Sequence, residues 1–318
     1  MAELVITTRM KPRSRLFLHA TVLTAFLLSL TLAASETFRV ATYNVENYLD
    51  APTQTRHAKS PEAKAKVRES ILALKPDVLA LQEMGSVAAL QELRASLKAE
   101  GLDLPYSSHV TGFDTNIHLA ILSKFPFTAR RPHTNDDFLL GGRRFHVSRG
   151  FAEADVQVNT NYSFTLITAH LKSKRPIPEA DEGDLRQEEA KVLREKIEAR
   201  FAANPNVNLV VLGDLNDTKD AASTKEVIGR GKHKLVDTRP AERNGDELFG
   251  SRTLEQRNVT WTHYYAKEDL YSRIDYILLS PGMAREWVAS ETYVLTIPNW
   301  GLGSDHRPLV ATFEAEDN

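Results

Sequence analysis

Short apolar runs divide the chain, each about as long as a β-strand and each followed directly by polar residues. The clearest run, residues 207–212, precedes Gly213-Asp214-Leu215-Asn216. Because side chains two apart on an extended backbone point the same way, Asp214 and Asn216 are predicted to face one cleft. A carboxylate and a carboxamide in one cleft suit the positioning of a water or a metal beside a phosphate.

Four further polar clusters follow strand-like runs in the same manner: Asn44-Val45-Glu46, Gln82-Glu83, His170 with Arg273-Ile274-Asp275, and Ser304-Asp305-His306. The acids offer oxygen ligands and the chain has no cysteine, which favours Mg²⁺ over zinc, with Mn²⁺ or Ca²⁺ as alternatives. Acids, a metal and two histidines without a nucleophilic Cys or Ser indicate hydrolysis of a phosphate ester by activated water.

The first 35 residues differ from the rest of the chain. Four basic residues between Arg9 and Arg15 precede an uncharged, Leu- and Ala-rich stretch that ends in Ala33-Ala34-Ser35. This order is typical of a signal peptide, with cleavage expected before Glu36, so residues 36–318 are predicted to form a secreted or periplasmic catalytic domain. The alternative is an uncleaved membrane anchor, which the threonines and serines of the stretch disfavour.

Composition limits how such a domain meets its partners. Residues 1–35 hold four basic residues and one acid, so their removal takes the formal net charge from -2 to -5. A domain of that charge does not attract polyanions by its overall field. Contact with a nucleic acid therefore depends on local basic loops and on metal ions, and no stable protein partner is indicated.

The order of elements predicts one domain with more strands than helices. Helices are expected at residues 61–74, at 86–100, and from a capping box at Asp184 and Gln187 to Asn204-Pro205. Several adjacent strands have no helix between them, which argues against a doubly wound sheet. The prediction is an α/β (α+β) fold of two packed mixed β-sheets with helices on the outer faces.

Seven motifs in order resemble the endonuclease/exonuclease/phosphatase family over nearly all of residues 36–318. They are Thr42-Tyr43-Asn44-Val45-Glu46-Asn47, Leu81-Gln82-Glu83, Ala120-Ile121-Leu122-Ser123, His170-Leu171-Lys172-Ser173-Lys174, Gly213-Asp214-Leu215-Asn216, Arg273-Ile274-Asp275-Tyr276-Ile277 and Ser304-Asp305-His306-Arg307-Pro308. The resemblance implies a four-layered sandwich. Any one of these polar groups alone is more often a solvated strand end or a loop cap.

The resemblance also implies roles for individual residues. Glu83 would be the main metal ligand, with Asn44 and Asp305 shaping the site and Glu46 as a weaker ligand. Asp214, held by Asn216, would orient or deprotonate the attacking water. His306, oriented by Asp275, would contact the scissile phosphate, as would His170. Arg149 resembles a phosphate-contacting arginine of the deoxyribonuclease I branch.

Lys172 and Lys174, in the loop after His170, are predicted to bind substrate because cationic side chains near a cleft neutralise phosphates. The favoured function is a nonspecific nuclease that cuts DNA or RNA by metal-assisted water attack. One alternative is a sphingomyelinase-like or other phosphate-ester hydrolase that binds a phospholipid head group. Another is a non-catalytic family member used for binding.

Overall fold

The computed structural model describes residue 1, residues 36–243 and residues 259–317. Nearly all of them belong to one compact unit, Ser35–Asn318. The predicted signal peptide, residues 1–35, lies outside the described residues apart from Met1. The helices are α1 Pro61–Leu74, α2 Val87–Ala99, α3 Glu182–Ala203 and α4 Ala222–Ile228.

The strands of the described residues are, in chain order, β1 Thr37–Tyr48, β2 Val78–Met84, β3 Tyr106–Val110, β4 His118–Ser123, β5 Phe127–His133, β6 Asp137–Leu140, β7 Arg143–His146, β8 Phe151–Gln157, β9 Ser163–His170, β10 Leu209–Asp214, β11 Val236–Asp237, β12 Ala241–Glu242, β13 His263–Tyr265, β14 Leu270–Ser272, β15 Asp275–Leu279, β16 Trp287–Val294 and β17 Leu309–Glu314. Short 3-10 helices lie at Gly231–His233 and Trp300–Leu302.

Two large mixed sheets form the body of this unit. The first has the strand order β12-β16-β17-β1-β2-β4-β3, and the second β11-β15-β10-β9-β8-β5. Within each sheet the central pair is parallel, β1 with β2 and β9 with β10. Since parallel strands end at the same edge of a sheet, the polar residues that follow them collect on one side.

Three apolar clusters define the layers. The first lies between the sheets and includes Phe38 and Val40 from β1 with Leu166 and Val210 from the second sheet. The second packs α1 and α2 on the outer face of the first sheet. The third packs α3 on the outer face of the second sheet. The predicted four-layered sandwich of two mixed sheets flanked by helices is therefore confirmed.

Local sequence signals explain where the helices begin. Ser60 caps α1 by accepting a hydrogen bond from the Ala63 amide, 3.2 Å away, and Pro61 is the first helical residue. The start predicted for α3 is wrong by three residues. Asp181 accepts hydrogen bonds from the next amides and caps the helix, whereas Asp184 lies within its first turn.

Among the described residues, no helix is both long enough and apolar enough to cross a membrane.

Candidate active site

Polar side chains from both sheets meet at the edge where the parallel strands end. Asp214 is the last residue of β10, and its register partners are His170 on β9 and Asp275 on β15. Asn44, near the end of β1 in the other sheet, donates from Nδ2 to Asp214 Oδ2 over 3.0 Å. The two sheets are thus joined by a hydrogen bond between two of the predicted site residues.

Asp214 lies at the centre of this group and is 1% exposed. Its Oδ1 accepts from the Asn216 amide at 2.8 Å, while Oδ2 lies 3.5 Å from His170 Nε2 and 3.7 Å from His306 Nε2. Burial, together with the nearby Asp275 carboxylate, raises the pKa of Asp214 to about 7. A carboxyl group with such a pKa can take up a proton near neutral pH.

His306 is held on both sides by its surroundings. Its Nδ1 lies 2.8 Å from Asp275 Oδ2, and its backbone amide donates to Ser304 Oγ at 3.0 Å. Ser304 Oγ in turn donates to the Asn44 carbonyl at 2.7 Å. Burial alone would lower the pKa of His306, but the Asp275 and Asp214 carboxylates outweigh it and hold that pKa well above its ordinary value. The ring is therefore an imidazolium at neutral pH, with Nδ1 donating to Asp275.

His170 is in the opposite state. The residue is 2% exposed, and its Nδ1 has no hydrogen-bond partner among the described residues. Burial, and then the positive charges of Arg149, His306 and Arg56, lower the pKa of His170 well below its ordinary value. The site therefore pairs a neutral imidazole with a protonated one, a division that suits acid and base roles.

Three carboxylates lie beside this group, on Glu46, Glu83 and Asp305. Burial raises the pKa of Glu46, and the negative charges of Asp305 and Glu83 raise it further. Lys59 opposes this shift from 3.7 Å away. A divalent cation would relieve the repulsion, and carboxylate and amide oxygens are the ligands that Mg²⁺ prefers. The chemistry of these oxygen donors thus suits a hard divalent metal, with Asn44 adjoining them. Among the described residues, the sets whose ligand atoms lie within 4.8 Å of one another are Asp214, Asp275 and His306, and His263, Asp305 and His306.

The backbone at this edge is strained. Glu46, Asn47, Glu83 and Asn216 have φ values of 42°, 53°, 60° and 54°, in the left-handed region that non-glycine residues rarely adopt. Glu83 is kept in place by its carboxylate, whose Oε2 accepts from the Asn47 amide at 3.0 Å and lies 3.4 Å from Arg56 Nη1. Non-glycine strain of this kind is concentrated at functional sites.

The loop after His170 is anchored from several directions. Asn216 Nδ2 and Arg149 Nη1 both donate to the Leu171 carbonyl, at 2.9 and 3.2 Å. The Lys172 ammonium donates to the carbonyls of Ser173 and Arg175, so it holds its own loop together rather than facing the cleft. Lys174 is exposed and lies 3.7 Å from Asp217 Oδ1.

Two further residues, His263 and Arg56, adjoin the site. The His263 ring lies 4.5 Å from the His306 ring, and its Nε2 is 3.6 Å from Asp305 Oδ2. Ligand atoms of His263, Asp305 and His306 lie within 4.8 Å of one another, so His263 is a further candidate ligand. Arg56, which contacts Glu83, comes from the loop between β1 and α1. No sequence motif marks either residue.

Residues 41–306 match the model of the "Endonuclease/Exonuclease/phosphatase family". No curated protein matches the chain. Sphingomyelinase C from Streptomyces griseocarneus is similar in structure, with 19% identity, a TM-score of 0.57, and coverage of 88% of this chain and 100% of that one. The human Nocturnin catalytic domain with bound sulfate anion has 16% identity, a TM-score of 0.58, and coverage of 88% and 96%. The 3' phosphatase NExo from Neisseria, bound to product DNA hairpin, has 17% identity, a TM-score of 0.57, and coverage of 87% and 99%.

Proposed function

The chain belongs to the endonuclease/exonuclease/phosphatase family, and from that membership we propose that it hydrolyses phosphodiester bonds with a divalent metal, as a nonspecific nuclease. The observation that carries the proposal is the buried array of Asp275, His306, Asp214 and Asn44 across the junction of the two sheets. Beside it lie the acids that fit a metal. This array has a proton acceptor and a cationic donor within one cleft.

Each residue has a role that follows from its position. Glu83, Glu46, Asp305 and Asn44 would hold the Mg²⁺, with Mn²⁺ or Ca²⁺ as alternatives, and the bound ion supplies positive charge to the phosphate oxygens. Asp214 accepts the proton of the attacking water, because its carboxylate is buried and its pKa lies near neutrality. The His306 imidazolium donates from Nε2 to a phosphate oxygen, where negative charge develops.

His170 and Arg149 complete the polar surroundings of the phosphate. His170 is neutral, so one ring nitrogen can donate while the other accepts. Arg149 is 6% exposed and brings a fixed positive charge to the same edge. Asn216 acts indirectly, since its amide fixes Asp214 and its side chain fixes the carbonyl of Leu171.

Exposed cations in the segment before Arg149 and in the loop after His170 support a nucleic acid as the substrate. Lys174, Arg143 and Arg144 are exposed, and Arg144 is paired with Asp137. Such side chains contact a phosphate backbone without reading its sequence, which fits a nonspecific nuclease. The 3' phosphatase NExo holds product DNA on the same fold.

A phospholipid head group is the second candidate substrate, and exposed apolar side chains favour it. The β13–β14 hairpin begins beside the site, because the Tyr264 amide donates to the Asp305 carbonyl at 3.0 Å. In this hairpin Leu270 is 50% exposed and Tyr271 is 51% exposed. Leu302, three residues before Asp305 in the sequence, is 61% exposed. Exposed apolar groups beside a phosphate site suit the surface of a lipid layer.

Cleavage assays on plasmid DNA, RNA and sphingomyelin, with Mg²⁺ or with a chelator, test the proposal. We expect cleavage of nucleic acid that chelation abolishes, and loss of activity in His306→Ala. If only sphingomyelin is cleaved, the protein is a lipid hydrolase and the nuclease proposal is wrong. If none of the three substrates is cleaved, a non-catalytic family member used for binding is favoured. If His306→Ala keeps full activity, the assignment of the active site is wrong.

We propose in addition that the protein is secreted or periplasmic, on the pattern of residues 1–35. The measurement is the mass of the protein recovered outside the cytoplasm of an expressing bacterium. A product that begins at Glu36 is expected. Recovery of the full-length chain in the membrane fraction would instead support the uncleaved anchor.

A further inference from the structure

Asp114 lies between two arginines at the edge of the candidate active site. Its Oδ2 is 3.7 Å from Arg149 Nε and 4.0 Å from Arg56 Nη2. Arg56 comes from the loop after β1 and Arg149 from the segment before β8, so the two are far apart in sequence. One carboxylate thus faces two guanidinium groups that the chain brings together from different loops.

The Asp114 carboxylate is itself held by its own loop. Its Oδ1 accepts hydrogen bonds from the amides of Asn116 and Ile117, at 3.0 and 3.3 Å. The Asp114 amide donates to the Ser148 carbonyl at 2.7 Å. A Cβ at Gly112 would collide with the Arg149 backbone, so this loop lies directly against the arginine's own segment. The position of Asp114 relative to Arg149 is therefore fixed by the backbone.

Both arginines have guanidinium nitrogens that donate to no acceptor among the described residues. Arg149 is buried, with 6% of its surface exposed. Its Nη1 donates to the Leu171 carbonyl, whereas its Nε has no hydrogen-bond partner among the described residues. Arg56 Nη1 donates to Asn47 Oδ1 at 2.6 Å and lies 3.4 Å from Glu83 Oε2. Its Nη2 has Asp114 at 4.0 Å, beyond hydrogen-bonding distance.

The two arginines also share a neighbour in His170. Both positive charges contribute to the lowered pKa of that imidazole, after burial, which is the largest cause. The two guanidinium groups thus lie near one buried neutral ring, with the Asp114 and Glu83 carboxylates beside them. A phosphate that binds here would compete with those carboxylates for the arginines. Guanidinium groups bind phosphate through paired hydrogen bonds, which two convergent arginines can supply.

We propose that Arg56 is a second arginine that binds the substrate's phosphate, and that Asp114 is a positioning residue that holds Arg56 and Arg149 as a pair. This inference rests on the proposed function, because it assigns the anion as the phosphate of a phosphoester. The alternative is that Arg56 only forms an ion pair with Glu83 and does not contact the substrate. The two readings differ in what happens when a free anion is added.

Binding of inorganic phosphate to the full-length protein, in chelator and by calorimetric titration, tests the arginine pair without metal or hydrolysis. Loss of a charged hydrogen-bonding partner is expected to weaken phosphate binding about 10-fold in Arg56→Gln and in Arg149→Gln. Arg130→Gln, which removes an exposed arginine that lies over the Phe127 ring, is the matched control and should leave binding unchanged. Unchanged phosphate binding in Arg56→Gln overturns the proposal.

Asp114→Asn tests the positioning role, because asparagine Oδ1 can still accept from the amides of Asn116 and Ile117. We expect phosphate binding to weaken about 3- to 10-fold, with the melting temperature nearly unchanged. Added to Arg56→Gln/Arg149→Gln, the same substitution should have no further effect, since Asp114 acts through those residues. An equal loss in both backgrounds would overturn the positioning role, and Asp103→Asn serves as the control for an exposed carboxylate.

Kinetics separate this inference from the proposed function. If the wild type cleaves a phosphodiester, Arg56→Gln should raise KM at least as much as it lowers kcat. If the wild type cleaves none, the nuclease proposal fails, while phosphate titrations still decide the arginine pair. Phosphate binding that Arg56→Gln weakens, in a protein without hydrolytic activity, would support the anion site alone.

Discussion

Asp214→Asn is expected to lower kcat by about 100- to 10,000-fold, the range over which a general base contributes to catalysis. The carboxylate is 1% exposed and adjoins both imidazoles, and an amide in its place cannot take up the proton of the attacking water. Asparagine keeps the shape, but it has one side-chain oxygen where Asp214 has two, so it can keep the hydrogen bond from the Asn216 amide or the one from Asn44 Nδ2, but not both. Steady-state kinetics on plasmid DNA, with Mg²⁺, measures the loss.

Folding must be separated from chemistry in this variant. We expect the melting temperature to fall by several degrees while the variant stays folded at assay temperature, because one of the two hydrogen bonds to the replaced group is lost. Asp220→Asn, at an exposed carboxylate that pairs with Lys219, is the matched control and should keep full activity. A kcat within tenfold of the wild type in Asp214→Asn would remove this residue from the role of base.

The same carboxylate sets the expected pH dependence of kcat. Because burial raises the pKa of Asp214 to about 7, the group is protonated below that pH and cannot accept a proton there. The wild-type rate should therefore fall about tenfold per pH unit below pH 7. The residual rate of Asp214→Asn should lack this acid limb. If the wild-type rate rises as the pH falls, Asp214 is not the proton acceptor.

Glu189→Ala is expected to destabilise the fold by about 3–5 kcal/mol, because it leaves two buried amides without an acceptor. Glu189 lies on α3 and is 1% exposed; its Oε1 accepts from the Ser148 amide at 2.9 Å and its Oε2 from the Lys172 amide at 2.6 Å. One side chain thus ties the segments that carry Arg149 and His170 to the outer helix. Thermal unfolding should show a fall of about 10 °C.

Glu195→Ala is the control for this effect, since Glu195 is an exposed glutamate on the same helix. Its unfolding free energy should change by less than about 0.5 kcal/mol. At temperatures where Glu189→Ala remains folded, KM should rise, because both anchored segments lead to residues of the candidate active site, Arg149 and His170. Equal melting temperatures for the two variants would show that water satisfies the freed amides.

The helices and central strands could be predicted because their signals are local. Ser60-Pro61 gives the start of α1, and the continuous apolar run of β2 marks a strand buried on both faces. Strands at the sheet edges carry no such signal: β5 alternates between half-buried and exposed residues and ends in four consecutive polar or proline positions. The short strand β13 begins at His263, and the residue before it, Thr262, accepts at Oγ1 from the amides of Ile274 and Asp275, a contact that only the folded chain shows.

The candidate site was predictable where it follows strands in recognisable motifs. Asp214, Asp275 and His306 belong to such motifs, and the structure places them in contact. Arg56, Asp114 and His263 lie in loops or a short edge hairpin, and only tertiary contacts bring them to the site. Lys172 shows the reverse case, because its sequence neighbourhood suggested substrate contact, whereas its ammonium is taken up by two carbonyls of its own loop.

The left-handed backbone at Glu46, Asn47, Glu83 and Asn216 has a consequence for engineering. Each such conformation costs roughly 1 kcal/mol for a residue with a side chain, so these four positions oppose folding. A screen that rewards heat tolerance alone would accept glycine at them, since glycine adopts this geometry freely. Heat-tolerant clones from such a screen would accumulate catalytic defects, so turnover has to be selected alongside thermostability.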